Sequence, residues 1–244
     1  MILRAVQKWA ARILECAEEW LYPEKAACLC CRRTLSPQEA DGLCERCRRE
    51  LEALEEKRLG AAPIVPPPGI ICALAAYSYE GPARRLIIQL KYQSVRAAAK
   101  PLARAMALLP GGEEEIIVPV PTTRKRLRHR GFNHAQVLAK EMGDVLGMQV
   151  CEALVRYGEG VSQVRLGMRE RRKNLTGCMR ADARVKGKRV LLVDDVLTTG
   201  ATAQEAARAL LEAGAMSVSV FAAAKTVEDA RQNPPFALSG RQKA

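Results

Sequence analysis

The chain has 244 residues and a formal charge of +12, with Lys and Arg outnumbering Asp and Glu 39 to 27. Apolar residues make up 48% of it, enough for a packed core and against global disorder, and no apolar run reaches the roughly 18 residues needed to span a bilayer. The basic surplus favours phosphorylated metabolites, nucleic acid or acidic membrane surfaces, while an aromatic content of 4% leaves few platforms for stacking bases.

From the N-terminus, apolar residues at Ile2, Leu3, Val6, Trp9, Ala10, Ile13, Leu14, Ala17, Trp20 and Leu21 fall at helical spacing, so Met1–Tyr22 reads as a helix with one apolar face. Arg12, Glu15, Glu18 and Glu19 interrupt it, which excludes a secretory h-region. The expectation is a cytoplasmic chain without stable membrane insertion and with reduced thiols. Of nine cysteines, five lie in Cys28–Cys47. Cys28-x2-Cys31 and Cys44-x2-Cys47 are two knuckles whose four thiolates can converge on a tetrahedral zinc ion. With all four positions filled by protein, that zinc is structural, and its binding supplies folding energy to a module too small for its own core. Cys30 is a fifth thiol and leaves the ligand set open, and iron–sulfur or redox chemistry is the competing reading. Cys16, Cys72, Cys151 and Cys178 have no metal-binding spacing and read as buried apolar residues.

A charged helix follows near Arg46–Arg58. Ala61–Gly69 reads A-A-P-I-V-P-P-P-G, a semi-rigid linker because proline fixes the backbone and removes amide donors. Ile71–Tyr77 reads as a strand. A helical stretch begins at Gly81–Pro82, with a break near Lys91–Tyr92 before a second over Val95–Leu109. Ile116–Val120 is a short buried strand. Asn133 can cap a helix with apolar positions at Ala135, Leu138, Ala139, Met142, Val145 and Leu146 and a stop at Gly147. Val190–Val193 is a strand, Thr202–Ala213 a helix, and Ser217–Ala224 a strand. Such alternation predicts a parallel α/β sheet covered on both faces. The expected domains are 1–60, a helix and cysteine module; 61–69, a linker; 70–230, the α/β domain; and 231–244, a frayed tail.

The stretch Val190–Thr202 reads V-L-L-V-D-D-V-L-T-T-G-A-T. It is a buried strand, two carboxylates at its C-terminal end, a loop of small residues and a helix start. Backbone amides, threonine hydroxyls and a helix N-terminus form a nest for phosphate. The carboxylates beside it need a task of their own, and accepting hydrogen bonds from a sugar diol is one. A Walker B strand shares the pattern but needs a Walker A loop, and no G-x-x-x-x-G-K-[ST] occurs. A receiver domain has its acidic pair near the start of its fold, and here only about 50 residues follow.

These residues resemble the phosphoribosyl pyrophosphate (PRPP) signature of type I phosphoribosyltransferases. The resemblance implies that Asp194 and Asp195 hold the ribose hydroxyls and that Thr198, Thr199, Gly200, Ala201 and Thr202 wrap the 5′-phosphate. Tyr79-Glu80-Gly81-Pro82, Leu90-Lys91-Tyr92, Val118-Pro119-Val120-Pro121 and Arg130-Gly131-Phe132-Asn133 follow the order of the ComF family, as does Gln163-x-x-Leu166 leading to Glu170-Arg171-x-x-Asn174. Met179 stands where that family usually has an aromatic residue, a difference of packing. The implied fold is α/β, the type I phosphoribosyltransferase fold, a mostly parallel sheet flanked by helices with a small N-terminal zinc-ribbon-like module. Val118–Thr123 would be the pyrophosphate loop, with Pro121 fixing the turn and Thr122, Thr123 and Arg124 on phosphate oxygens. Lys125–Arg130 reads as a solvated face or as a contact for diphosphate or nucleic acid. His129 and His134 have no partner pattern and receive no role. Val161–Asn174 resembles a catalytic lid carrying Gln163, Arg169, Arg171 and Asn174.

The first functional reading is an enzyme that binds PRPP with Mg²⁺ and transfers its phosphoribosyl group, releasing pyrophosphate. The pattern is nearest to amidophosphoribosyltransferases, yet Met1-Ile2 offers no N-terminal cysteine nucleophile, so glutamine-fed amination is not expected. The second is a competence accessory protein that binds single-stranded DNA or competence proteins, with PRPP as a regulatory ligand.

Overall fold

The computed structural model describes residues 27–36, 39, 42–59, 66, 69–93, 95–157 and 177–226. The helix expected over 1–22, most of the linker, the lid over 161–174, the tail and Cys16 lie outside them.

Unbroken apolar runs such as Val190–Val193 and Val220–Ala224 cannot alternate between core and water, so they need cover on both faces. They obtain it in a five-stranded sheet ordered β1-β7-β6-β2-β3, every pairing parallel. The strands are β1 (Cys72–Ser78), β2 (Ile116–Pro119), β3 (Gln149–Val150), β6 (Arg189–Leu197) and β7 (Ser217–Lys225). Between β3 and β6 stands an antiparallel ribbon of β4 (Leu154–Arg156) and β5 (Met179–Ala181). Alternate residues of β6 serve opposite faces, because side-chain direction alternates along a strand. Leu191 and Val193 pack with one core cluster, Val190 and Leu192 with the other.

The first face is covered by α2 (Gly81–Tyr92), α3 (Ala99–Ala107) and α5 (His134–Leu146), through Leu86, Leu90, Leu102, Met106, Leu138 and Met142. The second is covered by α6 (Ala201–Glu212) through Ala206, Ala207 and Leu210. The cysteine knuckles belong to the first core. Cys28, Cys44, Cys47 and Leu51, the last on α1 (Glu45–Leu59), share a buried cluster with Leu86, Ile87 and Leu90. Gly143 lets α5 approach β3, since a Cβ there would stand 2.8 Å from the Met148 carbonyl oxygen and 2.9 Å from Val150 Cγ2.

Most expected elements among the described residues appear within a residue or two of their anticipated bounds, including the break between α2 and α3, but α3 starts at Ala99, after a 3-10 turn over Arg96–Ala98, and β6 runs on to Leu197, four residues past the expected strand. Four further details differ. Arg124–Arg130 is a helix, α4, with no buried residue, so it carries no periodic signal. In α5, Val145 and Leu146 are exposed, although their spacing continues the apolar face. Asn133 occupies the N-cap position of α5, but its side chain donates to the Val120 carbonyl at 2.9 Å instead of capping, which ties the helix start to the end of β2. Cys151 is buried as expected, whereas Cys72 and Cys178 are only half-buried. Met179 is fully buried, which agrees with a packing role.

Candidate functional site

The order in which the chain adds strands reverses between the central strands β2 and β6, which run parallel. From β2 the chain crosses over to β3 on one side, and from β6 it crosses through α6 to β7 on the other. Ligands of open parallel sheets bind beyond the strand C-termini at such a switch point. The loops that leave β2 and β6 here are 120–123 and 198–200, the two segments singled out from the sequence. Their strands are hydrogen-bonded neighbours up to Pro119 opposite Val193.

Beyond that pair β6 continues alone on its β2 side, still paired with β7 through Leu197 opposite Lys225. Asp194 and Asp195 are the first residues past the last β2 contact, so both are half-buried at an open edge. The Asp195 amide donates to Asp194 Oδ1 at 2.8 Å. Lys91, near the end of α2, places Nζ 2.9 Å from Asp195 Oδ1, and His134, at the start of α5, places Nδ1 3.7 Å from Oδ2. Burial, then the Asp195 charge, push the Asp194 carboxyl up to about 7, while Lys91 and Arg156 act in the opposite sense. Burial brings His134 down to about 4, although Asp195 opposes this. His134 is packed edge-on against Phe132, with ring centroids 5.4 Å apart, and its Nε2 is buried without a partner among the described residues. Arg156, at the end of β4, likewise has a buried Nε with no hydrogen-bond partner among them.

Past Leu197 the chain turns through Thr198, Thr199 and Gly200. Gly200 has φ +72°, a left-handed conformation that suits glycine, and N-caps α6. Thr199 Oγ1 accepts from the Ala201 amide at 3.4 Å, and Ala201 and Thr202 open α6. On the facing loop Pro121 and Thr122 are half-buried, and Thr123 caps α4 by accepting from the Arg126 amide at 3.2 Å. Arg124, the first residue of α4, is exposed. The structure therefore brings together the acidic pair, the threonine turn and the Pro121–Arg124 loop. Gln163, Arg169, Arg171 and Asn174 lie outside the described residues. Sequence reasoning missed Lys91, His134 and Arg156. Lys91 is a lysine at a helix end and His134 a lone histidine, and nothing in either pattern marks a carboxylate partner.

The second cluster is the cysteine set. The sulfurs of Cys28, Cys31, Cys44 and Cys47 all lie within 4.8 Å of one another, with Cys31 and Cys44 3.6 Å apart. Ligands about 2.3 Å from a tetrahedral zinc stand about 3.8 Å from each other, so the set fits that ion. The Cys44 amide donates to Cys28 Sγ at 3.4 Å, and the first knuckle is closed by the Arg32 amide on the Cys28 carbonyl at 2.9 Å. Burial works against ionisation of Cys44, yet hydrogen bonds from Cys47 and Arg33 bring it down to about 6. Cys30 is not in the set. It turns to α2, where Arg85 Nε donates to its sulfur at 3.1 Å and the sulfur meets the Pro82 carbonyl at 3.8 Å.

Residues 127–234 match the phosphoribosyl transferase domain. The DNA utilization protein YhgH of Escherichia coli O157:H7 is 33% identical over 162 residues, which cover 61% of this chain and 70% of that protein. Competence protein ComFC of Bacillus subtilis strain 168 is 24% identical over 226 residues, 82% of this chain and 85% of that one. Among solved structures, the glutamine PRPP amidotransferase from B. subtilis aligns with 56% of this chain and 30% of its own at 21% identity and a TM-score of 0.41. The chain has the phosphoribosyltransferase fold joined to a cysteine cluster that can hold zinc, and it belongs to the ComF family.

Proposed function

We propose that this protein binds PRPP and transfers its phosphoribosyl group to a nucleophilic acceptor, with release of pyrophosphate. The observation that carries the reading is the acidic pair at the open edge of β6, followed at once by the threonine turn and the start of α6. A ribose 5-phosphate spans two such groups: its diol donates to the carboxylates and its phosphate takes the amides of the turn. The diphosphate would lie against Pro121–Arg124. Bond cleavage at C1′ leaves the electron pair on the diphosphate, and the acceptor's lone pair forms the new bond. Mg²⁺ commonly binds through one or two carboxylates plus substrate phosphates, so it fits as a companion of the diphosphate whose charge aids the leaving group. Gln163, Arg169, Arg171 and Asn174 carry the catalytic contacts to the diphosphate in this reading. Its support is their order in the chain, between the two loops, and the family resemblance. Zinc at Cys28, Cys31, Cys44 and Cys47 is structural, since four protein sulfurs leave no open position.

The test is a melting curve with PRPP and Mg²⁺, followed by an assay of pyrophosphate release across candidate acceptors. Ligand at about 100 times its Kd stabilises a fold by about 2.7 kcal/mol, a shift of several degrees. The wild type should show it, and Asp194→Ala with Asp195→Ala should lose it. Arg169→Ala should keep part of the shift and slow release. A wild type that does not respond to PRPP sinks the proposal.

A second reading is favoured by α4. All its side chains but Arg130 are exposed, six of its seven residues are Arg, Lys or His, and the Arg130 guanidinium lies 4.8 Å from the centroid of the exposed Tyr92 ring. A basic helix beside a cation-backed aromatic suits single-stranded DNA, and the competence and DNA-utilization names of the relatives are compatible with that. Competence proteins are the alternative partners, with PRPP then a regulatory ligand.

A further inference from the structure

Two adjacent carboxylates make a poor neighbour for a polyanion. Asp194 and Asp195 repel each other, and both repel a diphosphate and a 5′-phosphate. A site that binds such a ligand therefore needs a fixed cation that offsets the pair without using up its acceptor capacity. A carboxylate has about four lone-pair positions, so one ammonium contact leaves room for a sugar hydroxyl.

Lys91 meets that need. Its Nζ lies 2.9 Å from Asp195 Oδ1, and both side chains are only about one-sixth exposed, at 16% and 15%. The lysine is also held from behind. The first knuckle lies along one face of α2: Cys30 meets the Pro82 carbonyl and Arg85, Gln89 Nε2 donates to the Cys30 carbonyl at 3.4 Å, and Arg32 donates to Gln93 at 2.8 Å. Positions 82, 85, 89 and 93 recur at helical spacing, so one stripe of α2 is pinned from its first turn to its C-cap. Lys91 leaves the helix away from that stripe and reaches β6.

We propose that Lys91 is a positioning residue of the ribose site: it offsets the charge of the acidic pair and fixes Asp195 for the diol. This rests on the PRPP reading and adds to it a residue that acts through Asp195. The charged and titratable groups that face the pair are Lys91 from α2, His134 from α5 and Arg156 from β4, with Arg130 of α4 acting on His134. Of these, Lys91 alone is within hydrogen-bond distance of a carboxylate oxygen. Lys91 also opposes the upward push on Asp194. Without it, Asp194 keeps its proton to higher pH, and one acceptor is missing near neutrality.

The experiment is calorimetric titration of PRPP with Mg²⁺ into wild type, Lys91→Met and Lys91→Arg at about pH 6.5, 7.5 and 8.5. A nearby opposite charge moves a carboxylate by about one unit or more, so Lys91→Met should bind about tenfold more weakly at the middle pH, with the deficit narrowing at the highest. Lys91→Arg should recover most of the affinity. An unchanged affinity, or a deficit that Lys91→Arg does not recover, means that the lysine only packs, and overturns the proposal. Carbon-13 NMR of the ligand-free protein separates this from the PRPP reading. The Asp194 carboxyl must titrate higher in Lys91→Met than in wild type, whether or not PRPP binds. An unmoved carboxyl sinks the role of Lys91; a wild type that does not bind PRPP sinks the ligand.

Discussion

Asp194 and His134 flank the same ion pair and respond to acid in opposite senses. Burial raises Asp194 to about 7, from an ordinary value of 3.8. In that window the folded chain holds a proton the unfolded chain has lost, so this residue's contribution to stability falls as pH rises and is smallest above about 7. His134 is lowered from 6.5 to about 4. There the unfolded chain takes up a proton the fold refuses, so its contribution falls as pH drops through that range. The two slopes oppose each other and flatten the wild-type profile. Asp194→Asn removes one of them. It should stabilise the ligand-free protein by about 1–3 kcal/mol near pH 8, and the gain should vanish by about pH 4, where the native carboxyl is already neutral. Urea denaturation at a series of pH values reads this out, and a gain that persists undiminished in acid would refute it. The same variant should lose PRPP binding, the usual exchange of stability for function at a strained site. Asp194 was legible in the sequence because two acids after an apolar strand form a pattern. His134 was not, because its meaning depends on Asp195, 61 residues later in the chain.

Among the elements, legibility followed the core. β6, α6 and β7 could be read because Val190–Val193, the alanine stripe of α6 and Val220–Ala224 bury themselves against one another. Helix α4 could not, since a helix without a buried side carries no apolar period. The ribbon β4–β5 has three residues in each strand, too few to show alternation. The role of Cys30 was also closed to sequence, because C-x-C-C offers three thiols and only the packing of α2 shows which one turns away. That packing has a thermodynamic consequence. Knuckles and helices share one buried cluster, so they should melt together. If the knuckles hold zinc, its removal with a chelator should lower the unfolding temperature by about 5 °C or more in a single transition, since structural zinc contributes folding energy. Two calorimetric transitions, with the upper one unmoved by the chelator, would show that the knuckles and the sheet are energetically separate.

At the scale of the whole molecule, the +12 charge has to be matched to a place, since net charge alone names no partner. The parallel sheet gives it one. Its switch point turns two loops to the same end, and one of them runs into α4 with Arg124, Lys125, Arg126, Arg128, His129 and Arg130. Basic residues on a loop contact a bound phosphate locally, whereas a polynucleotide draws on a surface, and salt distinguishes the two. Each neutralised phosphate of a single strand adds about 0.7 to the magnitude of the slope of log K against log salt. If α4 carries single-stranded DNA, Lys125→Glu with Arg128→Glu should weaken binding of a labelled oligonucleotide and reduce that magnitude by about 1.4. Both residues are exposed and without ion-pair partners among the described residues, so the substitutions leave no buried charge behind. A slope that stays unchanged moves the nucleic acid elsewhere on the surface. Affinity that is absent even at low salt removes DNA as a direct ligand and leaves the basic helix to the diphosphate.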